Sequence, residues 1–408
     1  MKILVVNVGS TSLKYKAFQF PSQKVLGQGR LERIGSSKCP VTLVGRSGKT
    51  RHDTLCLPDY GAAIDTLIEN MLDPEEGALH DLKELSAIGF KTVHAGPRSL
   101  GKGAKYLDSR MLKAMERANF VAPAHNPPYI DAIRTMRKKL PRTPLVGLFE
   151  PAFHYSMPPK AYTYGVPYEW QTKYGIRGYG FHGASHRFIS ERAPDFLRVP
   201  KSKRSTLRLV SCHLGGSCSL CAAVGGRSAD TTMSYSPQSG LVHSKRCETI
   251  DAFALLHMMK LRSWSPEVMA ETLCKNGGLY GISGVSEDMR DLEQAAAEGN
   301  NRAKLAIEVF VYQVQKQVGA MAVAAGGLDV LVFTGGIGER GRKVRGAVCE
   351  GLGFLGVKLS SPANNRCHGE ERVISTPSSR VSVAVIPANE ELIVARETAR
   401  LLRHKRGH

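Results

Sequence analysis

The chain has 408 residues, of which 42% are hydrophobic and 23% charged; these values exclude a disordered protein and a coiled coil, and the length predicts two domains. The 56 lysines and arginines outnumber the 36 acidic residues and give a net charge of +20, which favours an anionic partner, either nucleic acid or a phosphate-bearing small molecule. No apolar run approaches the roughly 18 residues of a membrane span, and residues 3–6 are too few for a signal-peptide core. We therefore expect a cytoplasmic protein without a membrane partner.

The N-terminal residues predict two strands joined by a polar turn. Residues 2–7 are apolar and β-branched, residues 9–12 (GSTS) form the turn, and residues 13–20 alternate apolar and polar side chains. The same plan recurs at residues 207–212, 213–217 and 218–224, after which Gly225-Gly226 predicts a two-residue hairpin turn. Two such units in the two halves of the chain suggest a duplicated α/β domain.

A further strand and three helices follow the second unit. Residues 329–333 predict a buried strand that runs into a flexible Gly-rich turn at residues 334–338. Helical spacing at residues 251–260 and 301–325 predicts two helices, and Gly326-Gly327 stops the second. The last helix is predicted to begin after Asn389 as N-cap, with Glu390 in its first turn, where the helix dipole favours carboxylates.

The nine cysteines are predicted to be free thiols, because their number is odd and no secretory signal is evident. Cys218 and Cys221 have the spacing of half a zinc site. On a strand, however, residues three apart point to opposite faces, and no second pair follows. A metal site at these cysteines is therefore disfavoured.

Three turns rich in Gly, Ser and Thr each follow an apolar strand, at residues 9–12, 213–217 and 334–338. Such turns present backbone N–H groups and small hydroxyls, which bind phosphate. Neither GxxxxGK[ST] nor GxGxxG occurs, so a P-loop and a dinucleotide fold are disfavoured. The turns predict a nucleotide whose phosphates and sugar are held by two domains.

Eight motifs resemble those of the acetate kinase family: MKILVVNVGSTSLKY (1–15), APAHNP (122–127), FEPAFHYSMP (149–158), YGIRGYGFHGASH (174–186), CHLGG (212–216), GISGVSEDMRDLE (281–293), FTGGIGE (333–339) and IPANEELIVARET (386–398). The resemblance implies an α/β protein with duplicated ribonuclease-H-like (actin-like ATPase) domains, mixed sheets flanked by helices, and an active site in the interdomain cleft. Residues 1–154 with 392–408 would form the domain on the acyl and phosphate side, and residues 155–391 the domain on the nucleotide side. A homodimer is also implied.

The implied activity is the reversible, ATP-dependent and Mg²⁺-dependent phosphorylation of a short carboxylate to an acyl phosphate by direct in-line transfer. A carboxylate is ionised at pH 7, so this nucleophile needs no general base. The enzyme must instead align two anions and neutralise charge on the transferred phosphoryl group. Its partners would be a nucleotide and a carboxylate, not nucleic acid, since the basic clusters are dispersed and no recognition motif accompanies them.

The resemblance also implies roles for individual residues. The catalytic residues would be His182, Arg246, Lys91 and Glu150; the apolar wall of the acyl pocket would be Val93, Ala124, Phe181 and Pro237; the metal would be associated with Asn7 and Glu390. Nucleotide and phosphate contacts are implied for Asn7, Ser10, Ser12, Lys14, His213, Gly215, Gly216, Asp288, Arg290, Gly336, Ile337 and Gly338, and His125 would lie near the site. Simpler alternatives remain open: a core histidine at 182, a solvated Arg246, a turn cap at Asn7, a dipole partner at Glu390 and a loop residue at His125.

Several positions depart from the family pattern. Lys91 stands in place of Arg, Glu150 in place of Asp, Gly216-Ser217 in place of Asn-Gly, and Arg340 in place of Asn, while the setting of Arg246 (residues 244–249) also differs. These changes leave open a different phosphoryl donor, such as pyrophosphate, or a catalytically weakened nucleotide-binding protein. Ala124 replaces Leu, which enlarges the acyl pocket and predicts that propionate or a longer acid is used at least as well as acetate.

Overall fold

The computed structural model describes residues 1–9, 11–123 and 125–406. The described residues form fourteen strands: β1 (Lys2–Val8), β2 (Ser12–Gln19), β3 (Lys24–Glu32), β4 (Cys39–Val44), β5 (Thr50–Leu55), β6 (Leu85–Thr92), β7 (Lys105–Tyr106), β8 (Leu145–Phe149), β9 (Arg208–His213), β10 (Ser219–Val224), β11 (Arg227–Thr231), β12 (Val330–Thr334), β13 (Arg372–Val373) and β14 (Ser382–Val385). They also form sixteen α-helices: α1 (Tyr60–Met71), α2 (Ser109–Arg117), α3 (Asn126–Lys139), α4 (Pro159–Tyr162), α5 (Tyr168–Tyr174), α6 (Gly183–Phe196), α7 (Lys201–Arg204), α8 (Ala252–Arg262), α9 (Pro266–Lys275), α10 (Gly278–Ser283), α11 (Met289–Ala297), α12 (Asn301–Ala325), α13 (Gly335–Arg340), α14 (Arg342–Glu350), α15 (Ser361–Asn365) and α16 (Glu390–Arg406). Short 3-10 helices lie at Leu82–Glu84, Glu150–Ala152, His154–Ser156 and Gly353–Leu355.

The chain divides into two compact units, each built on one sheet. Unit 1 comprises Met1–Tyr155 and the residues from Asn389 onward, and unit 2 comprises Ser156–Ala388. The last helix, α16, therefore belongs to unit 1 and packs against β1, β6 and β8.

The sheet of unit 1 has the order β5-β4-β3-β2-β1-β6-β8-β7. β1, β2 and β3 form an antiparallel meander, whereas β6 is parallel to β1 and β8 is parallel to β6. In β2 the predicted alternation places Leu13, Tyr15 and Ala17 in the core. β8 is buried along its whole length, as expected of a strand within a parallel sheet covered on both faces.

The sheet of unit 2 repeats this plan, with the order β11-β10-β9-β12-β14-β13. β9, β10 and β11 form the antiparallel meander, and β12 and β14 continue the sheet in parallel from β9. The order β3-β2-β1-β6-β8 in unit 1 thus corresponds strand by strand to β11-β10-β9-β12-β14 in unit 2. The repeated order confirms the prediction of a duplicated α/β domain.

The long helix α12 covers the core of unit 2. It spans the predicted residues 301–325 and buries Phe310, Val314 and Val318 along one face. Gly326 ends the helix in the left-handed conformation, as the Gly-Gly signal predicts. The Gly225-Gly226 turn joins β10 to β11 with positive φ at both residues, which is the turn type predicted for this hairpin.

Two local expectations were wrong. Residues 335–340 form the short helix α13 rather than a flexible turn, because the Glu339 carboxylate accepts hydrogen bonds from the backbone N–H groups of Gly335 and Ala388, each at 3.0 Å. Asn389 does not cap α16 with its side chain, since its Oδ1 is buried and has no hydrogen-bond partner within the described part of the chain.

All nine cysteines are unpaired, as predicted. The Cys218 thiol donates to the Gly215 carbonyl at 3.1 Å, whereas the Cys221 thiol lies 3.5 Å from the Ser228 hydroxyl. A search of the described helices finds none that is both long and apolar enough to cross a membrane.

Candidate active site

In unit 1, polar residues lie at or directly after the carboxyl ends of three neighbouring parallel strands. Asn7 lies near the end of β1, Lys91 near the end of β6, and Glu150 directly after β8. Val6 of β1 is paired with Phe90 of β6. The next residue of β6, Lys91, is paired with Leu148 of β8. Because the carboxyl ends of parallel strands meet at one edge of the sheet, the three side chains converge there.

Lys91 forms two ion pairs at this edge. Its Nζ lies 3.0 Å from Oε1 of Glu150 and 2.9 Å from Oε2 of Glu390, the first residue of α16. The three side chains are largely buried, with 14%, 6% and 14% of their surfaces exposed for Lys91, Glu150 and Glu390. Burial by itself would lower the pKa of Lys91, but the two carboxylates outweigh it and raise that pKa well above its usual value. The ammonium is therefore charged and already neutralised by the protein.

Asn7 is held by a residue that the sequence did not single out. The buried Tyr129 hydroxyl donates to Oδ1 of Asn7 at 2.9 Å, and burial raises the pKa of Tyr129, so this hydroxyl remains a donor. With its oxygen engaged in this way, Asn7 can present its amide N–H₂ group to a phosphate oxygen.

The turn after β1 is tight, since Gly9 N–H donates to the Ser12 carbonyl at 2.8 Å and the Tyr60 hydroxyl donates to the Gly9 carbonyl. Ser10, a predicted phosphate ligand, lies outside the described residues. Lys14 lies on β2 opposite Asn7, and burial, with a smaller contribution from the charge of Arg30, lowers its pKa.

A divalent cation fits the donor atoms at this edge. Glu150 and Glu390 supply carboxylate oxygens, and the buried Oδ1 of Asn389 has no hydrogen-bond partner among the described residues. Within the described residues, no group of three or more His, Cys, Asp or Glu side chains could hold a metal. A hard divalent cation at this edge would draw on the two carboxylates and complete its coordination with water and substrate oxygens.

In unit 2, the turns after β9 and β12 are tied to each other through the carbonyl of Leu214. This oxygen accepts the N–H of Ile337 at 2.9 Å and that of Gly338 at 3.1 Å, while Leu214 N–H donates to the Thr334 carbonyl at 2.8 Å. The predicted phosphate turn, which contains Gly215, and the predicted adenosine turn therefore form one surface. Buried Arg345 fixes this surface from beneath by donating to the carbonyls of Gly338 and Glu339 at 3.0 and 2.7 Å.

A cavity of about 610 Å³ opens on this surface. Most of the predicted nucleotide residues of unit 2 line this cavity: Gly215, Gly216, Asp288, Arg290, Gly336 and Ile337. Arg340 also lines it. A Cβ atom added to Gly336 would meet nothing within 4 Å, so the fold itself does not require glycine there and the space can take a ligand. Asp288 and Arg290 pair with each other at 2.6 Å, and the Arg290 side chain lowers the pKa of Asp288.

His182 belongs to a cluster of three histidines. It precedes α6 in the left-handed conformation, its ring stacks on that of His213 at 4.3 Å, and its Nδ1 lies 2.8 Å from Oγ of Ser219. The same hydroxyl lies 2.8 Å from Nε2 of His186. Ser219 thus bridges two histidines and fixes the orientation of the His182 ring.

Arg246 lies on a loop that is fixed by backbone hydrogen bonds. Its guanidinium donates to the carbonyl of Pro237 at 3.0 Å; among the described residues no carboxylate forms an ion pair with it, and burial lowers its pKa. N–H groups from residues 277, 279 and 280 bond to the carbonyls of residues 245, 243 and 244. Gly278 has a φ of +65°, and a Cβ there would lie 2.3 Å from the His243 carbonyl oxygen, so only glycine allows this close packing.

His243 connects the Arg246 loop to the phosphate turn. Its Nδ1 accepts the N–H of Cys218 at 2.8 Å, and Ser244 N–H donates to the Gly216 carbonyl at 3.2 Å. The His243 side chain is fully buried. Burial, assisted by the positive charge of Arg246, lowers the pKa of His243 to about 3.

The residues predicted for the acyl pocket are buried apolar side chains. Val93 lies in unit 1, directly after β6, and Phe181 and Pro237 lie in unit 2. Ala124 lies outside the described residues. His125 immediately precedes α3 and makes no side-chain cap to it.

Four positioning residues escaped the sequence reading. Tyr129, Ser219, His243 and Gly278 act on partners that lie 122, 37, 25 and about 35 residues away in the chain, so no local spacing reveals them. Ser219 carried a usable signal, since a small hydroxyl residue inside an otherwise apolar strand requires a polar partner.

The repeated strand order, with polar turns at the carboxyl edge of each sheet, is that of the α/β actin-like ATPase fold. The chain belongs to the Acetokinase family, whose sequence model matches residues 2–396.

Individual relatives agree with this membership. The acetate kinase of Carboxydothermus hydrogenoformans is 42% identical over 407 residues, covering 99% of this chain and 100% of the relative. Two crystal structures are similar in fold: an acetate kinase from Porphyromonas gingivalis (TM-score 0.86, 34% identity, 98% of this chain and 99% of that one) and a propionate kinase from Francisella tularensis (TM-score 0.87, 33% identity, 97% and 98%).

The buried neutral state of His243 predicts acid sensitivity. Because its pKa lies below the value of about 6.5 expected in the unfolded chain, its contribution to stability is complete above pH 6.5 and is lost as the pH falls toward 3. By pH 5 the loss should be about 2 kcal/mol. His243→Asn keeps an acceptor for Cys218 N–H but cannot take up the proton. The free energy of unfolding, measured with urea, should therefore fall less between pH 7.5 and pH 5 in this variant than in wild type.

The exposed His368, which lies outside α8, provides the matched control, since His368→Asn removes an exposed imidazole and leaves His243 in place. An unchanged decline in His243→Asn would contradict the role assigned to His243.

Proposed function

We propose that this protein transfers the γ-phosphoryl group of ATP to a short-chain carboxylate, giving an acyl phosphate and ADP, and that it catalyses the reverse reaction. The observation that carries the proposal is the glycine-lined cavity at the carboxyl edge of the sheet in unit 2, in a chain of the Acetokinase family. A cavity of about 610 Å³, whose glycine-rich lining also carries Arg290 and Arg340, suits an adenine nucleotide, whereas pyrophosphate alone needs no such space.

The reaction requires no proton transfer. A carboxylate oxygen forms the new P–O bond while the bond between the γ-phosphorus and the bridging oxygen of ADP breaks. Arg246, which has no carboxylate partner among the described residues, supplies positive charge to the phosphoryl oxygens, and the oriented His182 ring supplies a hydrogen bond. The family resemblance assigns phosphate contacts to Asn7, Ser12 and Lys14 of unit 1.

The divalent cation of this reaction is Mg²⁺ in our proposal. Glu390 and Glu150 would hold it directly or through water, and when bound it neutralises charge on the nucleotide phosphates. Asn7 serves as a phosphate donor more readily than as a metal ligand, because its Oδ1 accepts from Tyr129.

We also propose a homodimer, supported by the surface of α8. None of its residues is buried, and Phe253, Leu256 and Leu261 are 79%, 58% and 65% exposed. A contiguous apolar helix of this kind is typical of a surface that a second copy covers. A monomeric mass in sedimentation equilibrium would contradict this assembly.

The reaction is tested by trapping its product. Protein mixed with ATP, Mg²⁺ and acetate, propionate or butyrate should yield an acyl hydroxamate when hydroxylamine is added. ATP should support this reaction at least tenfold better than pyrophosphate. No hydroxamate from any of the three acids would reject the proposal, and a preference for pyrophosphate would reassign the donor.

Chain-length preference is predicted from position 124. With alanine there, kcat/KM for propionate should equal or exceed that for acetate, because the family pattern has the larger leucine at this position of the acyl pocket. Ala124→Leu should lower kcat/KM for propionate by about tenfold, the cost of roughly one or two displaced methylenes, and leave that for acetate nearly unchanged. A tenfold wild-type preference for acetate would refute the prediction.

His182 and Arg246 are predicted to act on the transition state. His182→Ala and Arg246→Ala should each lower kcat by roughly a hundredfold or more while KM changes little. Lys245→Ala provides the control, since the adjacent Lys245 pairs with Glu287 at 3.1 Å and is about half exposed. Large KM increases with an unchanged kcat would reassign these residues to ground-state binding.

A further inference from the structure

The Lys91 ammonium occupies the space between the two carboxylates that would serve a metal. It lies within 3.0 Å of an oxygen of each, and the whole group is largely buried. A lysine ammonium is a compact point charge with three donors, so it satisfies both carboxylates at once.

The charges explain why the ammonium and a metal ion compete. Glu150, Glu390 and Lys91 together carry one net negative charge, and removal of the lysine charge would leave two. A cation that draws on both carboxylates must come within a few ångströms of Nζ, because Nζ contacts one oxygen of each. Two positive groups a few ångströms apart in a buried setting repel each other strongly. Lys91 and a divalent cation therefore exclude each other from this position.

A bound carboxylate substrate could give the Lys91 ammonium an alternative partner. The Lys91 side chain has four rotatable bonds and can reposition its ammonium, whereas the arginine of the family pattern ends in a rigid, planar fork. Val93, which is assigned to the acyl pocket, follows two residues later along the chain. A substrate carboxylate bound near Val93 would offer the ammonium a replacement partner of the same charge and geometry.

We propose that Lys91 is an exchangeable counter-ion. Without a carboxylate substrate it neutralises Glu150 and Glu390 and keeps a divalent cation out, and a bound carboxylate draws it away so that the cation can bind. The inference rests on the proposed function of the same site, because the exchange requires a carboxylate ligand. Binding of carboxylate and of metal should accordingly favour each other by the same factor.

The test measures binding of Mn²⁺ to the full chain without nucleotide, by electron paramagnetic resonance of the free ion. Wild-type protein should bind Mn²⁺ weakly, and saturating acetate or propionate should tighten that binding at least fivefold. Acetamide, which has the same shape without the charge, should have no effect. Lys91→Met should bind Mn²⁺ at least tenfold more tightly than wild type without any carboxylate, and acetate should not tighten it further.

Lys16→Met provides the matched control. It removes a lysine that pairs with the neighbouring Glu391 at 3.6 Å, and it should bind Mn²⁺ as wild type does. Lys91→Met affinity within twofold of wild type would overturn the proposal. If Lys91→Met shows no cooperative thermal transition, the test rests on wild type alone. Equal Mn²⁺ affinity of wild type in acetate and in acetamide would then overturn the proposal.

These outcomes are separate from the test of the reaction. Acyl hydroxamate formation by wild type together with unchanged Mn²⁺ binding in Lys91→Met would reject the counter-ion role only. Tight Mn²⁺ binding by Lys91→Met without any acyl hydroxamate from wild type would reject the reaction and support competition between Lys91 and the cation.

Discussion

The parallel pairing of the central strands is the constraint on which both sites depend. In unit 1 it brings the ends of β1, β6 and β8 to one edge, and in unit 2 it does the same for β9 and β12. Residues that are far apart in the chain, such as Asn7 and Glu150, reach the same edge of the sheet only because their strands run in the same direction. The polar turns can therefore vary in sequence while the strands hold their positions.

The two units treat their cations differently. Lys91 in unit 1 is paired with two carboxylates, whereas Arg246 in unit 2 bonds only to a backbone carbonyl among the described residues. A neutralised cation sets the geometry of an acidic site, and an unneutralised one attracts an anion. Arg246 is therefore one place where the positive charge of the chain can attract an anion, while most of the excess positive charge lies on the exposed surface.

Much of the fold could be predicted from the sequence, because β-branched runs, alternation and glycine stops are local signals. They located β1, β9, β10, β12 and α12 to within a residue or two. The helix at Gly335–Arg340 was missed because Glu339 stabilises it through the side chain rather than through any local propensity. Asn389 was misassigned as a cap because the same residue type also occurs as a buried polar group, and Tyr129 and His243 escaped because their partners are distant in the chain.

The carbonyl of Leu214 links the two nucleotide turns through main-chain atoms alone. No side-chain substitution at Leu214 can delete that oxygen, so the relative placement of the two turns is insulated from most point mutations. Evolution can then exchange residues that face the cavity, such as Gly216, without moving the backbone that carries them. The chemistry of recognition and the mechanics of the scaffold are thereby free to diverge at different rates.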